Sequence, residues 1–146
     1  MRKSAFIAAA LIAALPLSAL PLSATAQGAT ASAWQQRSTD LVTMSRLLGN
    51  LHHYHQLCYP GDWRPDLYRD RMKEMVSLED PYETLKDDMI DGFNEAYRAT
   101  SDSYAQCTAA AIEAMRQTAS SGDVVAGRLA APYREVSGYD YDATGD

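Results

Sequence analysis

Basic residues are scarce. The chain carries 13 Lys and Arg against 19 Asp and Glu, a formal charge of −6 over 146 residues. Binding to a nucleic-acid backbone needs clustered Lys and Arg, so the composition points away from a nucleic-acid partner. Cysteine is sparser still, at two residues. That excludes a four-cysteine zinc site and a disulfide-dense mini-protein. The length allows one small domain and excludes a TIM barrel or a two-domain enzyme. The sequence shows no internal repeat and no strand-like alternation. It also lacks the Gly-x-Ser-x-Gly elbow of hydrolases, a glycine loop for phosphate and a calcium loop. Asp87, Asp88 and Asp91 are closely spaced acids, but on a helix they read as a solvated face rather than a glycosidase pair.

What is present begins with an address. Arg2 and Lys3 precede an uncharged apolar run, and Ala24-Thr25-Ala26 places small residues before Gln27. This is the layout of a secretory signal peptide over residues 1–26. A membrane anchor is the alternative, since the run is near spanning length. Pro16, Pro21 and the small-residue site favour cleavage, and no membrane span is expected after it. The mature chain then keeps 11 basic and 19 acidic residues, a charge of −8. The expected location is periplasmic or secreted. An oxidising compartment makes Cys58 and Cys107 a candidate disulfide, with two free buried thiols as the alternative.

The remainder reads as helix. Residues 27–37 look like a flexible lead-in, and a helical domain is expected over residues 38–137. Leu41, Met44, Leu47, Leu48, Leu51, Tyr54 and Cys58 recur at helical spacing. Tyr59-Pro60-Gly61-Asp62 ends that stretch. A second helix is expected over about residues 65–78, with Leu67, Tyr68, Met72, Met75, Val76 and Leu78 inward. Asp80-Pro81-Tyr82-Glu83 resembles a capping box that opens the next helix. The series Leu85, Met89, Phe93, Ala96, Thr100, Tyr104, Cys107, Ala111 then permits one long helix, or two with a break at residues 101–103. Ser120-Ser121-Gly122-Asp123 suggests a turn before a short last helix whose end Pro132 disturbs. Residues 138–146 are acidic and read as a disordered tail. The expected fold class is all-α, a small bundle of three to four helices, one of them long, with one disulfide.

Two clusters are chemically suggestive. His52, His53 and His55 are the only histidines. On a helix His52 and His55 are i, i+3 neighbours that can share a zinc or copper ion, given a carboxylate such as Asp62 or Glu79 as third ligand. The spacing is not that of zinc proteases. The plainer reading is partly exposed, hydrogen-bonding residues near a helix end. The second cluster is Asn94, Tyr97 and Arg98, which can receive a carboxylate or phosphate. Its plainer reading is an internal clamp, with Arg98 paired to an acid such as Glu79.

Leu47-Leu48-Gly49-x-Leu51-His52, Leu57-Cys58, Tyr68-Arg69-x-x-Met72, Phe93-Asn94-x-x-Tyr97-Arg98 and Tyr104-x-x-Cys107-Thr108 together resemble a family of short exported alphaproteobacterial proteins of unknown function. The resemblance spans about residues 47–129. One departure is Tyr68, where the family pattern has Trp; a Trp-Arg pair stands instead at Trp63-Arg64. The resemblance implies a secreted helical domain with one cysteine pair and brings no activity, cofactor or catalytic residue. The expectation is an envelope-associated binding or accessory protein with a protein partner rather than an enzyme. The alternatives are a small-ligand or metal-binding protein built on His52 and His55 and, behind it, an envelope hydrolase.

Overall fold

A computed structural model describes residues 24–137, with side chains described for residues 30–134. Residues 1–23 of the expected signal peptide, and the expected tail at 138–146, lie outside the described residues. Four helices follow in order: α1 (Ala24–Cys58), α2 (Leu67–Glu79), α3 (Glu83–Ser103) and α4 (Ala109–Ser137). No strand occurs among the described residues. The architecture is the expected all-α bundle with one disulfide.

α1 is the spine. Its 35 residues make a rod of about 50 Å, long enough for three helices to pack along it. It meets α3 most extensively, then α4, then α2. The core forms where Leu41 meets Met72, Leu85, Met89 and Phe93, with Val42, Leu48, Met75, Val76 and Leu129 around them. Leu85, Met89 and Phe93 are the expected inward series of α3, at steps of four residues. Leu78, expected inward, is 77% exposed.

Gly49 sets the depth of the α1–α3 crossing. A Cβ on Gly49 would lie 2.2 Å from the carbonyl oxygen of Phe93. Only glycine permits that approach of backbone to backbone. The Leu-Leu-Gly motif of α1 is therefore joined to the Phe-Asn motif of α3. Asn50 and Thr100 seal the same crossing, the Thr100 hydroxyl donating to the Asn50 amide oxygen at 2.7 Å.

Three boundaries differ from the sequence reading, each for a physical reason, and one alternative left open there is resolved. Residues 27–37 are helical, because α1 continues through side chains that dock on the other helices. Trp34 packs on Tyr82 with ring centroids 5.3 Å apart. Arg37 donates to both Glu79 carboxylate oxygens and to the Leu129 carbonyl, tying α1 to α2 and α4. Asp80 does not open α3; it closes α2 in the left-handed region (φ 41°), its N–H donating to the Val76 carbonyl. Tyr82 takes the N-cap position of α3 without a side-chain bond. The long periodic series breaks after Ser103, the two-helix alternative of the sequence reading, and Cys107 sits in the connection. Finally, α4 runs unbroken through residues 120–123. Ala111, Ala114, Thr118, Gly122, Val125 and Leu129 keep a seam of buried or half-buried positions through that stretch, so the burial pattern outweighs the local turn signal. Pro132 is accommodated inside α4.

Candidate functional site

The last turns of α1 are enclosed on every side. Leu51, His52, His53, Tyr54 and His55 are all buried. Five successive helix residues sweep more than a full turn, so neighbours must cover all faces. Aromatic rings supply much of that cover. His52 lies 5.8 Å from Phe93 and 5.4 Å from Tyr97, and His53 meets Tyr97 edge-on at 5.6 Å. Tyr54 packs on Tyr104, and burial pushes its phenol up to about 12. His55 stacks on Tyr59 and meets Tyr68 edge-on.

Each histidine makes a separate hydrogen bond. His53 Nε2–H donates to the Tyr104 carbonyl at 2.8 Å and so holds the C-terminus of α3. His55 Nε2–H donates to Asp62 at 3.1 Å. His52 Nε2 accepts from the Gln56 amide at 3.3 Å, while the Gln56 oxygen accepts from the Tyr97 hydroxyl at 2.9 Å. Burial holds the His52 imidazole below its ordinary value, with the carboxylate of Asp66 opposing. The Nδ1 atoms of His52 and His55 are buried and have no protein partner. The partly exposed reading of these residues is thus corrected to a buried one.

For a shared metal ion, His52 and His55 would need a third ligand. Asp62 does reach His55, but Glu79 is engaged by Arg37. Among the described residues no group of three His, Cys, Asp or Glu side chains is arranged to hold a metal.

The disulfide joins Cys58, at the end of α1, to Cys107, with Cα atoms 5.1 Å apart. The sequence pattern places this bridge inside the core. It lies instead at one end of the bundle, with Cys107 exposed, because the break after Ser103 carries Cys107 into a loop.

The α1–α2 connection, residues 59–66, is braced from several directions. Asp62 accepts from His55 and from the Arg64 backbone N–H (2.9 Å), and these bonds hold its carboxyl below the usual range. The Asp62 N–H donates to the Tyr59 carbonyl, and the Leu67 N–H to the Arg64 carbonyl. At the tip of this braced loop Trp63 is 82% exposed, with the Arg64 guanidinium 4.6 Å from its ring centre. A cavity of about 400 Å³ opens beside it, bordered by Pro65, Leu67, Asp70 and Glu74.

Behind the loop lies a second, polar cleft of about 310 Å³. α1 contributes His52 and Gln56, the start of α2 contributes Asp66 and Arg69, and α3 contributes Phe93, Asn94 and Tyr97. Three of the residues singled out from the sequence, His52, Asn94 and Tyr97, are therefore brought together. Arg98 is exposed and does not line the cleft, and its anticipated partner Glu79 pairs with Arg37. His55 faces the loop rather than the cleft. Sequence reasoning missed Gln56, Asp66 and Arg69. Gln56 follows His52 by one turn, and Asp66 and Arg69 open α2 three residues apart, but only the tertiary fold sets them opposite α3.

A family model described as protein of unknown function (DUF2385) matches residues 35–133, and the chain belongs to that family. No curated protein and no solved structure matches the chain. No helix among the described residues is long and apolar enough to cross a membrane.

Proposed function

We propose that this member of the DUF2385 family is an exported, non-enzymatic binding or accessory protein of the cell envelope, contacting a protein partner through the Trp63–Arg64 loop. The observation that carries the reading is the 82% exposure of Trp63 on a loop held by His55, Asp62 and the neighbouring disulfide. Trp and Arg are the side chains most enriched among residues that dominate binding energy. Bracing matters as much as identity, because a loop already fixed loses little entropy on binding. The basic n-region, apolar run and Ala24-Thr25-Ala26 site support export, and a disulfide suits an oxidising compartment.

Site-specific photocrosslinking in cells tests it. A photoreactive residue is placed at position 63 and, as control, at Val124, which is 60% exposed on α4. The expected result is an adduct with one envelope protein from position 63 alone. Trp63→Ala should then weaken binding to that purified protein at least tenfold while melting stays unchanged. Identical adducts from both positions, or none from position 63, would refute the loop as the contact. Intact mass of the exported protein should begin at Gln27; a product retaining residues 1–26 would refute cleavage.

A further inference from the structure

The polar cleft behind the loop has an unusual charge arrangement. Asp66 Oδ1 stands 3.8 Å from His52 Nε2 and 4.0 Å from Arg69 Nη1, outside hydrogen-bond distance of both. Among the described residues, the side chains of Asp66, Arg69 and Asn94 make no hydrogen bond with one another or with the rest of the chain. One carboxylate and one guanidinium thus sit on the same rim as a long ion pair that leaves their hydrogen-bonding capacity unspent. Both are about half exposed, Asp66 at 50% and Arg69 at 58%, so their mutual ion pair is weak and open to a competing charged ligand.

The floor is of a different kind. The buried Phe93 and His52 and the half-buried Tyr97 line it, with centroids of the His52 pairs 5.4–5.8 Å apart. The Gln56 amide is locked between the Tyr97 hydroxyl and His52 Nε2, so it does not compete for the rim charges. The ligand complementary to this cleft carries an anion and a cation a few ångströms apart, and an apolar group behind them.

We infer that the cleft between α1, α2 and α3 is a binding site for a small zwitterion of the α-amino acid class. Its carboxylate meets Arg69 and Asn94, its ammonium meets Asp66, and its apolar side chain lies over Phe93 and Tyr97. An Arg fork matches a carboxylate, and an Asp carboxylate that accepts no hydrogen bond matches an ammonium. A cleft of about 310 Å³ has room for one amino acid of medium size. The site shares Asp66 with the end of the Trp63 loop, but its other residues lie on α1, α2 and α3, and it stands whether or not Trp63 docks a protein.

Isothermal titration of the full mature chain tests the inference with three probes: leucine, in both L and D forms, N-acetyl-leucine, which lacks the ammonium, and leucinamide, which lacks the carboxylate. Saturable binding of leucine is expected, at least tenfold tighter than either capped form. Arg69→Gln should abolish the preference for leucine over leucinamide and leave the preference over N-acetyl-leucine. Asp66→Asn should do the reverse. That crossed pattern is not produced by a general loss of folding. No saturable heat with either form of leucine at millimolar concentration overturns the inference. So does equal affinity for leucine and N-acetyl-leucine, which would make the cleft a simple carboxylate site, and so do two variants that weaken all probes alike.

Discussion

The α1–α3 crossing makes a sharp prediction at Gly49. In Gly49→Ala the new methyl would stand 2.2 Å from the Phe93 carbonyl oxygen, 3.0 Å from its carbon and 3.2 Å from its Cα. Close C–H···O contacts settle near 3.3–3.6 Å, so the two backbones must part by roughly 1 Å. The obstacle is backbone on both sides, and no side chain can rotate to absorb it. A gap of that size forfeits a quarter to a half of the dispersion well of each flanking contact. Phe93 in the core and Leu48 packed against it sit at this crossing, and the Asn50–Thr100 bond spans it. Overpacking of this kind costs about 1–3 kcal/mol, and the upper part of that range applies here. Against it stands a helix-propensity gain of about 1 kcal/mol for Ala over Gly. The net expectation is a loss of about 1–2 kcal/mol, or roughly 4–16 °C in melting temperature for a domain of this size. Urea unfolding followed by circular dichroism at constant m-value measures it. Gly127→Ala is the control, since nothing lies within 4 Å of the added Cβ there. It should gain up to about 1 kcal/mol. A Gly49→Ala variant as stable as the parent would refute the close approach.

Three further outcomes are expected. The bridge between Cys58 and Cys107 closes a loop with a sequence separation of 49, so Cys58→Ser should cost about 2–5 kcal/mol; equal melting with and without reductant would remove that contribution. Asp80 holds a left-handed conformation that an L residue adopts at a cost, so Asp80→Gly should gain about 0.5–1 kcal/mol, and a loss on thermal melting would mean its side chain does more than close α2. Burial depresses the His52 pKa, so its contribution to stability is complete above about pH 6.5 and is lost as pH falls toward the folded-state value; melting from pH 8 to 5 should decline more steeply for the parent than for His52→Gln, and parallel profiles would contradict this.

Periodicity makes much of the bundle legible in the sequence. Leu41, Leu51 and Tyr54 on α1, Met72 on α2, and Leu85, Met89 and Phe93 on α3 are buried at the positions their spacing indicates. Local turn chemistry was the poorer guide. Asp80-Pro81 looks like a helix start because Asp caps well and Pro fits a first turn, yet Asp can also close the preceding helix in the left-handed region. Ser120-Ser121-Gly122-Asp123 looks like a stop, but the Ser121 hydroxyl bonds back to the Gln117 carbonyl within the helix and the seam against α1 continues. The break after Ser103 runs the other way. There the periodic pattern continued past the helix it described, because Cys107 is placed by its bond to Cys58 rather than by a helix face.

The histidine cluster shows why site geometry resists a linear reading. His52, His53 and His55 are adjacent in sequence, and spacing invites one shared role. In the fold a residue step turns the helix by about 100°, so each ring enters a different environment. One faces the cleft, one holds the end of α3, and one braces the loop that carries Trp63. Asp62 and Asp66, four residues apart, are divided the same way, between the loop brace and the cleft rim. Two surfaces of opposite character, an exposed aromatic tip and a polar cleft, thus rest on successive residues of the same two segments. That common support has a consequence for reading variants. His55→Ala removes the Asp62 brace and should loosen the loop without touching the cleft, whereas His52→Ala removes the Gln56 contact and should disturb the cleft without freeing the loop. A double variant cannot tell the two surfaces apart, and only the single substitutions assign an effect to one of them.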